Sequence, residues 1–296
     1  MANILVTGAN GQLGSEIKEL SVDYTPRTGC RSHDSFTFTD RRQLDIIDKA
    51  AIKEIVQENN IDIIINCAAY TAVDQAESDV KNAEKINATG VKNLAEITKE
   101  KNLKLIHIST DYVFDGKNYK PYEEDDQTNP RCVYGKTKLS GEQAIQDISP
   151  KNTIMIRTSW VYSSYGKNFV KMMLNLGKTK ERLTVINDQV GSPTYAKDLA
   201  KAILDIIPQI DNEIPEIYHY TNEGVLSWYD FAKEIMKMAK LECEIAPVAT
   251  KDYPTAVTRP HFSLLNKAKI KEKYAVEVPF WKDSLHACLT KMGEKR

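Results

Sequence analysis

A phenol and an ammonium stand four residues apart in Tyr134-Gly135-Lys136-Thr137-Lys138, and helix-compatible residues follow through Ala144. On a helix, positions i and i+4 share a face. A lysine there holds its charge near the phenol oxygen and favours the phenolate over the neutral form, whose free pKa is about 10. Such a phenol can pass a proton to or from an alcohol or carbonyl oxygen. Alone, the pair is also what an ordinary solvated helix face carries. Ser109-Thr110-Asp111 adds two hydroxyls and a carboxylate at the end of the apolar run Leu103–Ile108. There they are placed to touch a reacting group, although Ser, Thr and Asp also favour caps and turns. The third group is Gly8-Ala9-Asn10-Gly11-Gln12-Leu13-Gly14, between a strand at 3–7 and a helix from Ser15. Its spacing is GxxGxxG rather than GxGxxG, but the physics is the same. Small residues let the backbone approach a pyrophosphate, and the helix N-terminus faces its negative charge. Neither a Walker lysine nor P-loop spacing is present, which argues against an ATPase.

The elements that position these groups follow from apolar periodicity. Residues 21–35 are polar and irregular, and predict an elongated surface loop. Phe36–Asp40 reads as the second strand. Asp40 at its end suits the ribose hydroxyls of an adenosine, or a turn, while Arg41 and Arg42 suit a 2′-phosphate. NADPH and NADH therefore both remain open. A helix over 47–56 precedes the branched apolar run Ile61–Asn66, a buried parallel strand. A long helix is predicted over 80–101, interrupted at Asn87, and the loop 115–133 returns Tyr134 to the edge where Ser109 and Thr110 lie. Thr153–Arg157 is a further strand. The expected fold class is α/β, a Rossmann-like doubly wound parallel sheet over residues 1–162. Residues 163–296 are expected to form mainly a smaller substrate-binding lobe, with some segments returning to the first domain. The lobe would use helices at 168–180, 196–207, 227–240 (capped by Ser227) and 279–292, strands at 183–186 and 217–220, and an irregular stretch 247–263. Met172 and Met173 read as core or adaptable pocket lining rather than a metal site.

Composition narrows the function classes. The chain has 296 residues, with 40 basic and 41 acidic side chains and a formal charge of −1. That balance does not suit a general polyanion binder, so no nucleic-acid partner is expected. The five cysteines are scattered without CxxC spacing, which indicates neither a zinc knuckle nor a disulfide scaffold. No apolar run reaches the length of a membrane span, and the first residues lead directly into a strand rather than a leader. A soluble cytoplasmic protein is the expectation.

The stretches MANILVTGANGQLG, NCAAYTAVDQAE, STDYVFDG, VYGKTKLSGE, RTSWVY, NDQVGSPT and TRP recur in order along nearly the whole chain. In them the sequence resembles the dTDP-4-dehydrorhamnose reductase family of extended short-chain dehydrogenases/reductases. The resemblance implies reduction of the C4 ketone of dTDP-4-dehydro-L-rhamnose to dTDP-L-rhamnose by NADPH or NADH. It makes Tyr134 the proton donor, Lys138 the residue that binds the nicotinamide ribose and lowers the tyrosine pKa, and Thr110 a donor to the carbonyl oxygen. It places Asp111 and Trp160 at the sugar nucleotide. Gly11, Gln12 and Leu13 would lie at the pyrophosphate, Asp40, Asp45 and Ile46 at the adenosine, Ala69, Tyr70 and Thr71 along the rest of the cleft, and Ile108 behind the nicotinamide. The substrate diphosphate needs positive partners, for which Arg182 and Arg259 are the candidates; either also fits a surface ion pair. Some members of the family are dimers that share a divalent metal, Mg2+, through carboxylates. Glu16 fits one such position, but Lys197 stands where a second carboxylate is needed, and an ammonium cannot ligate a cation. A homodimer and its metal bridge are therefore open. Other readings are a different sugar-nucleotide reductase, an epimerase, or a non-catalytic regulatory subunit of the same fold. Retention of Tyr134, Lys138 and Thr110 favours catalysis.

Overall fold

The computed structural model describes residues 2–23, 34–255 and 257–294. Its sheet starts from β1, Asn3–Thr7, which pairs in parallel with the edge strand β2, Ser35–Thr39, on one side and with β3, Ile63–Asn66, on the other. β4, Lys104–Thr110, and β5, Thr153–Thr158, continue the sheet, and the strand Glu216–His219 closes it. The order is β2-β1-β3-β4-β5 followed by Glu216–His219, with every neighbour parallel. This is the 2-1-3-4-5 variant of the doubly wound sheet. Its order reverses between β1 and β3, and a crevice opens at the carboxyl ends of those strands.

The branched apolar runs make the strands because both faces are covered, so alternation between apolar and polar is not needed. Ile4, Val6, Ile63, Ile65, Ile106, Ile154 and Ile156 pack on one face with Leu199 and Ile203 of the helix Ala196–Ile206. Leu5, Ile64, Leu105 and Met155 point to the other face. There they meet Ile52 and Val56 of α2, Lys49–Glu58, and Leu94 and Ile97 of the helix Gly90–Lys101. The odd-even split of side chains is the period-two geometry of a strand. A separate cluster holds Tyr162, Val170, Phe231, Ile235, Trp281 and Leu285. It sits under the helices Phe169–Gly177, Trp228–Met238 and Trp281–Lys291.

Several expected elements shift. The first helix, α1, spans Gln12–Asp23, so it starts inside the glycine turn and absorbs residues 21–23 of the predicted loop; residues 24–33 lie outside the described residues. The single helix expected over 80–101 is three pieces, with a wider π turn at Lys85–Thr89 around Asn87. The stretch 247–263 was expected to be irregular, yet Glu244–Val248 is a strand paired with Arg182–Ile186. Pro247 argues against a strand, but this sheet has only two strands, so the edge tolerates a missing N–H. Ser227 caps its helix in a reciprocal capping box with Asp230. Among the described residues no helix is long and apolar enough to cross a membrane.

Candidate active site

Two clefts meet over the carboxyl ends of the sheet. The first, of about 860 Å³, is lined by Gly8 and Gly11 of the glycine turn, by Asp40, Asp45 and Ile46 after β2, and by Ala69, Tyr70 and Thr71 after β3. Gly8 has a φ of +66°, and a Cβ there would lie 2.7 Å from the Ala68 nitrogen. Only glycine allows the turn and β3 to approach this closely while keeping the backbone open to a ligand. Gly14 lies inside α1 against Gly8 and Ala9, where a side chain would push the helix off β1. Both Asp40 carboxylate oxygens already accept hydrogen bonds: one from the Arg42 and Gln43 backbone nitrogens at 2.8 and 3.2 Å, the other from the Asn10 amide at 2.7 Å. Arg41 and Arg42 line the same cleft.

The second cleft, of about 560 Å³, continues from the first. Gly11, Gln12, Leu13, Ala69 and Thr71 border it on the glycine-turn side. Ile108, Thr110, Asp111, Tyr134, Lys138 and Trp160 complete it. The residues chosen from sequence thus converge on these two clefts, except Gly14, Arg182 and Arg259. Tyr134 and Lys138 lie on the helix Val133–Ile148, whose close approach to the end of β4 depends on Gly135: a Cβ there would run into the Tyr112 carbonyl. Asn87 locks the same helix to the cleft. It exchanges two hydrogen bonds with the Tyr70 backbone, at 2.8 and 3.1 Å, and donates to Thr137 at 3.1 Å. The π turn holds this buried side chain between the Tyr70 backbone and Thr137, and such bulges are common at functional sites.

The electrostatics differ from the arrangement expected from spacing alone. Desolvation raises the Tyr134 phenol above its ordinary range; a hydrogen bond with Thr110 works the other way. Lys138 is 1% exposed, and its ammonium is turned to the Ile108 carbonyl at 2.6 Å and to His107 Nε2 at 3.2 Å. Burial lowers its pKa to about 8, against the pull of Glu142. Asp111, buried behind Thr110, is pushed up to about 6 by desolvation, with Ser263 and Thr110 hydrogen bonds opposing the rise. Glu142 is held by Ser109 and by a buried ion pair with Arg157 at 2.7 Å, which joins the helix Val133–Ile148 to β5.

Trp160 adopts a left-handed backbone, with φ of +49°, and stacks on Trp228 with ring centroids 3.6 Å apart. An indole held in this sparsely populated region is over-determined by its surroundings and presents a fixed apolar wall. Beyond it lies a third cavity of about 940 Å³, lined by Phe169, Met172, Met173, Gln189, Trp228, Tyr253 and Arg259, with Lys167 and Lys171 at its edge. The sequence offered Arg259 as a diphosphate partner or surface ion-pair residue and the methionines as core or pocket lining, and gave no role to Gln189, Trp228 or Tyr253. The signal for Gln189 was present in the stretch NDQVGSPT; nothing local marks the other two. Arg259 also pairs with Asp74 at 2.7 Å. Arg182 is mostly exposed, pairs with Glu244 at 3.5 Å and lines none of these cavities. Thr184, Val185 and Ile186, farther along the same strand, line the cavity instead.

The carboxylates at the position implied for a metal are already neutralised. Lys291 Nζ lies 2.8 Å from Glu16 and 2.5 Å from Glu19, and Lys197 lies 3.4 Å from Glu19. Ser163 and Tyr165 donate to the same two carboxylates. The lysine holds Glu19 down at about 2. Two ammonium groups among two carboxylates do not make a divalent-cation site.

The family model described as RmlD substrate binding domain matches residues 1–294. The chain is 40% identical over 294 residues to dTDP-4-dehydrorhamnose reductase of Aggregatibacter actinomycetemcomitans, covering 96% of this chain and 97% of the relative. Among solved structures it is similar to a dTDP-4-dehydrorhamnose reductase from Clostridium acetobutylicum, with a TM-score of 0.89 and 39% identity over 98% of this chain and 99% of the other. It is equally similar in fold to the enzyme of that name from Bacillus anthracis in complex with NADP, with a TM-score of 0.89 and 36% identity over 98% and 99% of the two chains.

Proposed function

Because the chain belongs to the dTDP-4-dehydrorhamnose reductase family, we propose that it reduces the C4 ketone of dTDP-4-dehydro-L-rhamnose to dTDP-L-rhamnose with NADPH. The observation that carries this reading is the convergence of Thr110 and Tyr134 on one cleft continuous with the glycine turn. The nicotinamide, when bound, supplies the hydride. The residues present fit such a cofactor. Gly8 lets the turn close against the Ala68 backbone, where a Cβ would not fit, and Gly11, Gln12 and Leu13 would bring the N-terminus of α1 to its pyrophosphate. Asp45 and Ile46 border the adenosine, Ala69, Tyr70 and Thr71 the middle of the cleft, and Ile108 the nicotinamide. Reduction builds negative charge on the C4 oxygen. Thr110 donates to it, and Tyr134, kept protonated by desolvation, delivers its proton. Lys138 orients the nicotinamide ribose. Trp160 and Asp111 border the sugar, and Arg259 faces the diphosphate beside the cavity that takes the nucleotide.

The preference for NADPH is supported by Asp40, whose two oxygens are taken by Asn10 and by backbone amides, leaving Arg41 and Arg42 as the charged groups offered to a ribose substituent. The NADP complex of the Bacillus anthracis relative agrees. The Lys291–Glu16 pair supports a reaction without Mg2+. Every group named belongs to one chain, so a homodimer is compatible with the chemistry and not required by it. Residues 1–162 carry the cofactor and 163–296 mainly the substrate, and the protein works in the cytoplasm.

The test is loss of nicotinamide absorbance on mixing with dTDP-4-dehydro-L-rhamnose, run with NADPH and NADH in parallel. Turnover of another nucleotide sugar but not this one overturns the substrate. The double variant Arg41→Ala/Arg42→Ala is expected to lose about tenfold or more in kcat/KM for NADPH while NADH is unaffected. Equal losses for both cofactors overturn the preference.

A further inference from the structure

We propose that His107, held in one tautomer by Asn66, is a positioning residue that sets the proton occupancy of Lys138. A buried chain of donors and acceptors runs from the end of β3 to the helix that carries Tyr134 and Lys138. It begins at Asn66, the last residue of β3 and fully buried. The Ala68 backbone nitrogen lies 3.2 Å from Asn66 Oδ1. A backbone N–H only donates, so that atom is the amide oxygen; the Thr7 hydroxyl donates to it as well, at 2.7 Å. The amide nitrogen of Asn66 therefore faces His107 Nδ1, at 2.9 Å. That ring nitrogen must accept, and cannot carry a proton.

His107 lies in β4 with no exposed surface, and burial holds its imidazole neutral, well below the ordinary histidine range. A neutral ring has one N–H, which must then be on Nε2. This N–H points at Lys138 Nζ, 3.2 Å away. An ammonium has only donors, so two donors would face each other. A neutral amine has a lone pair for the His107 N–H and hydrogens for the Ile108 carbonyl at 2.6 Å. The chain Ala68, Asn66, His107, Lys138, Ile108 is then satisfied at every step. The other charged group near Lys138 is Glu142, one turn on along the same helix. Glu142 favours the ammonium, but its carboxylate is shared with Arg157 and Ser109. Arg157, from β5, is the cation behind it.

The consequence, which rests on the proposed reductase reading, is that Lys138 can take up or release a proton near neutral pH. The charge it adds to the cleft that also holds Tyr134 then varies with pH instead of being constant. In the protein without cofactor, labelled with 15N-histidine and 13C,15N-lysine, His107 is expected to show the Nε2–H tautomer by long-range 1H–15N correlation. The Lys138 side-chain signal, assigned by its loss in Lys138→Arg, is expected to titrate well below an ordinary lysine. His107→Gln replaces the facing donor with an amide whose oxygen can accept from the ammonium. Asn66→Asp forces the imidazole proton onto Nδ1 and frees Nε2 to accept. Both are expected to raise the Lys138 midpoint by about one pH unit or more. A His107 proton found on Nδ1 in the unaltered protein overturns the proposal, as does a midpoint in His107→Gln within roughly 0.3 pH unit of the parent. Neither readout depends on which substrate is reduced, so failure here and failure of the reductase reading are separable.

Discussion

Tyr134 stands in the cleft as a neutral phenol at neutral pH, because desolvation opposes its ionisation more than the Thr110 hydrogen bond favours it. That suits an acid delivering its proton to an alkoxide. Tyr134→Phe is therefore expected to lower kcat by about 100-fold or more, with the fold intact by circular dichroism. A variant that reduces the ketone at near-wild-type rate removes Tyr134 from the mechanism. Asp111 gives a second prediction at this scale. Its folded pKa of about 6 lies above the unfolded value, so the native state holds the extra proton. The stability this brings is fully present below the unfolded pKa, near 4, and is lost as pH rises through about 6. Asp111→Asn, neutral at every pH, is thus expected to raise Tm by roughly 2–4 °C at pH 7.5 and to leave it unchanged at pH 4, while lowering activity. The opposite pH dependence of the Tm difference would show that Asp111 is not held against its charge by burial.

At the scale of elements, the catalytic helix is placed by contacts on three sides. Gly135 allows it against the end of β4, Asn87 ties it to the Tyr70 loop, and the Glu142–Arg157 pair ties it to β5. The π turn at Lys85–Thr89 is the costly part, and its return is that Asn87 reaches two elements at once. Asn87→Ala leaves the Tyr70 backbone and the Thr137 hydroxyl without their partner. It is expected to cost about 1–3 kcal/mol in urea unfolding and to weaken NADPH binding, because Tyr70 borders that cleft. Unchanged stability together with unchanged cofactor affinity rules out this bracing role. Arg157→Met, which strands Glu142 in the core, is expected to cost about 3–5 kcal/mol by the same measurement.

Across the whole molecule, Lys291 near the carboxyl end reaches back 275 residues to Glu16 in α1. This lysine supplies positive charge to the carboxylates where the family resemblance implied a metal. Exhaustive chelation is expected to leave both activity and Tm unchanged. Lys291→Met is expected to lower Tm and to make it sensitive to added Mg2+, since Glu16 would then lack its cation and Glu19 would keep only Lys197. Loss of activity on chelation of the parent protein contradicts this arrangement.

What could be read from the sequence was whatever acts over a few residues. The isoleucine runs specified buried strands, the spaced glycines specified a backbone that a phosphate can approach, and Tyr134 and Lys138 specified a shared helix face. Short-range rules also erred where local signals conflict, as at Pro247, which stands in a strand because the sheet ends there. Tertiary structure decided the rest. The crossing of β1 between β2 and β3 put the glycine turn beside Tyr70. The stacking of Trp160 on Trp228 placed an indole that no periodicity marks, and the turning of Lys138 toward His107 depended on a hydrogen-bond chain drawn from three strands. Those outcomes depend on which distant surfaces exclude water together, and on where each buried donor finds its acceptor. Four-residue spacing thus selects the two side chains at Tyr134 and Lys138, while the charge each one carries is set by groups distant in sequence.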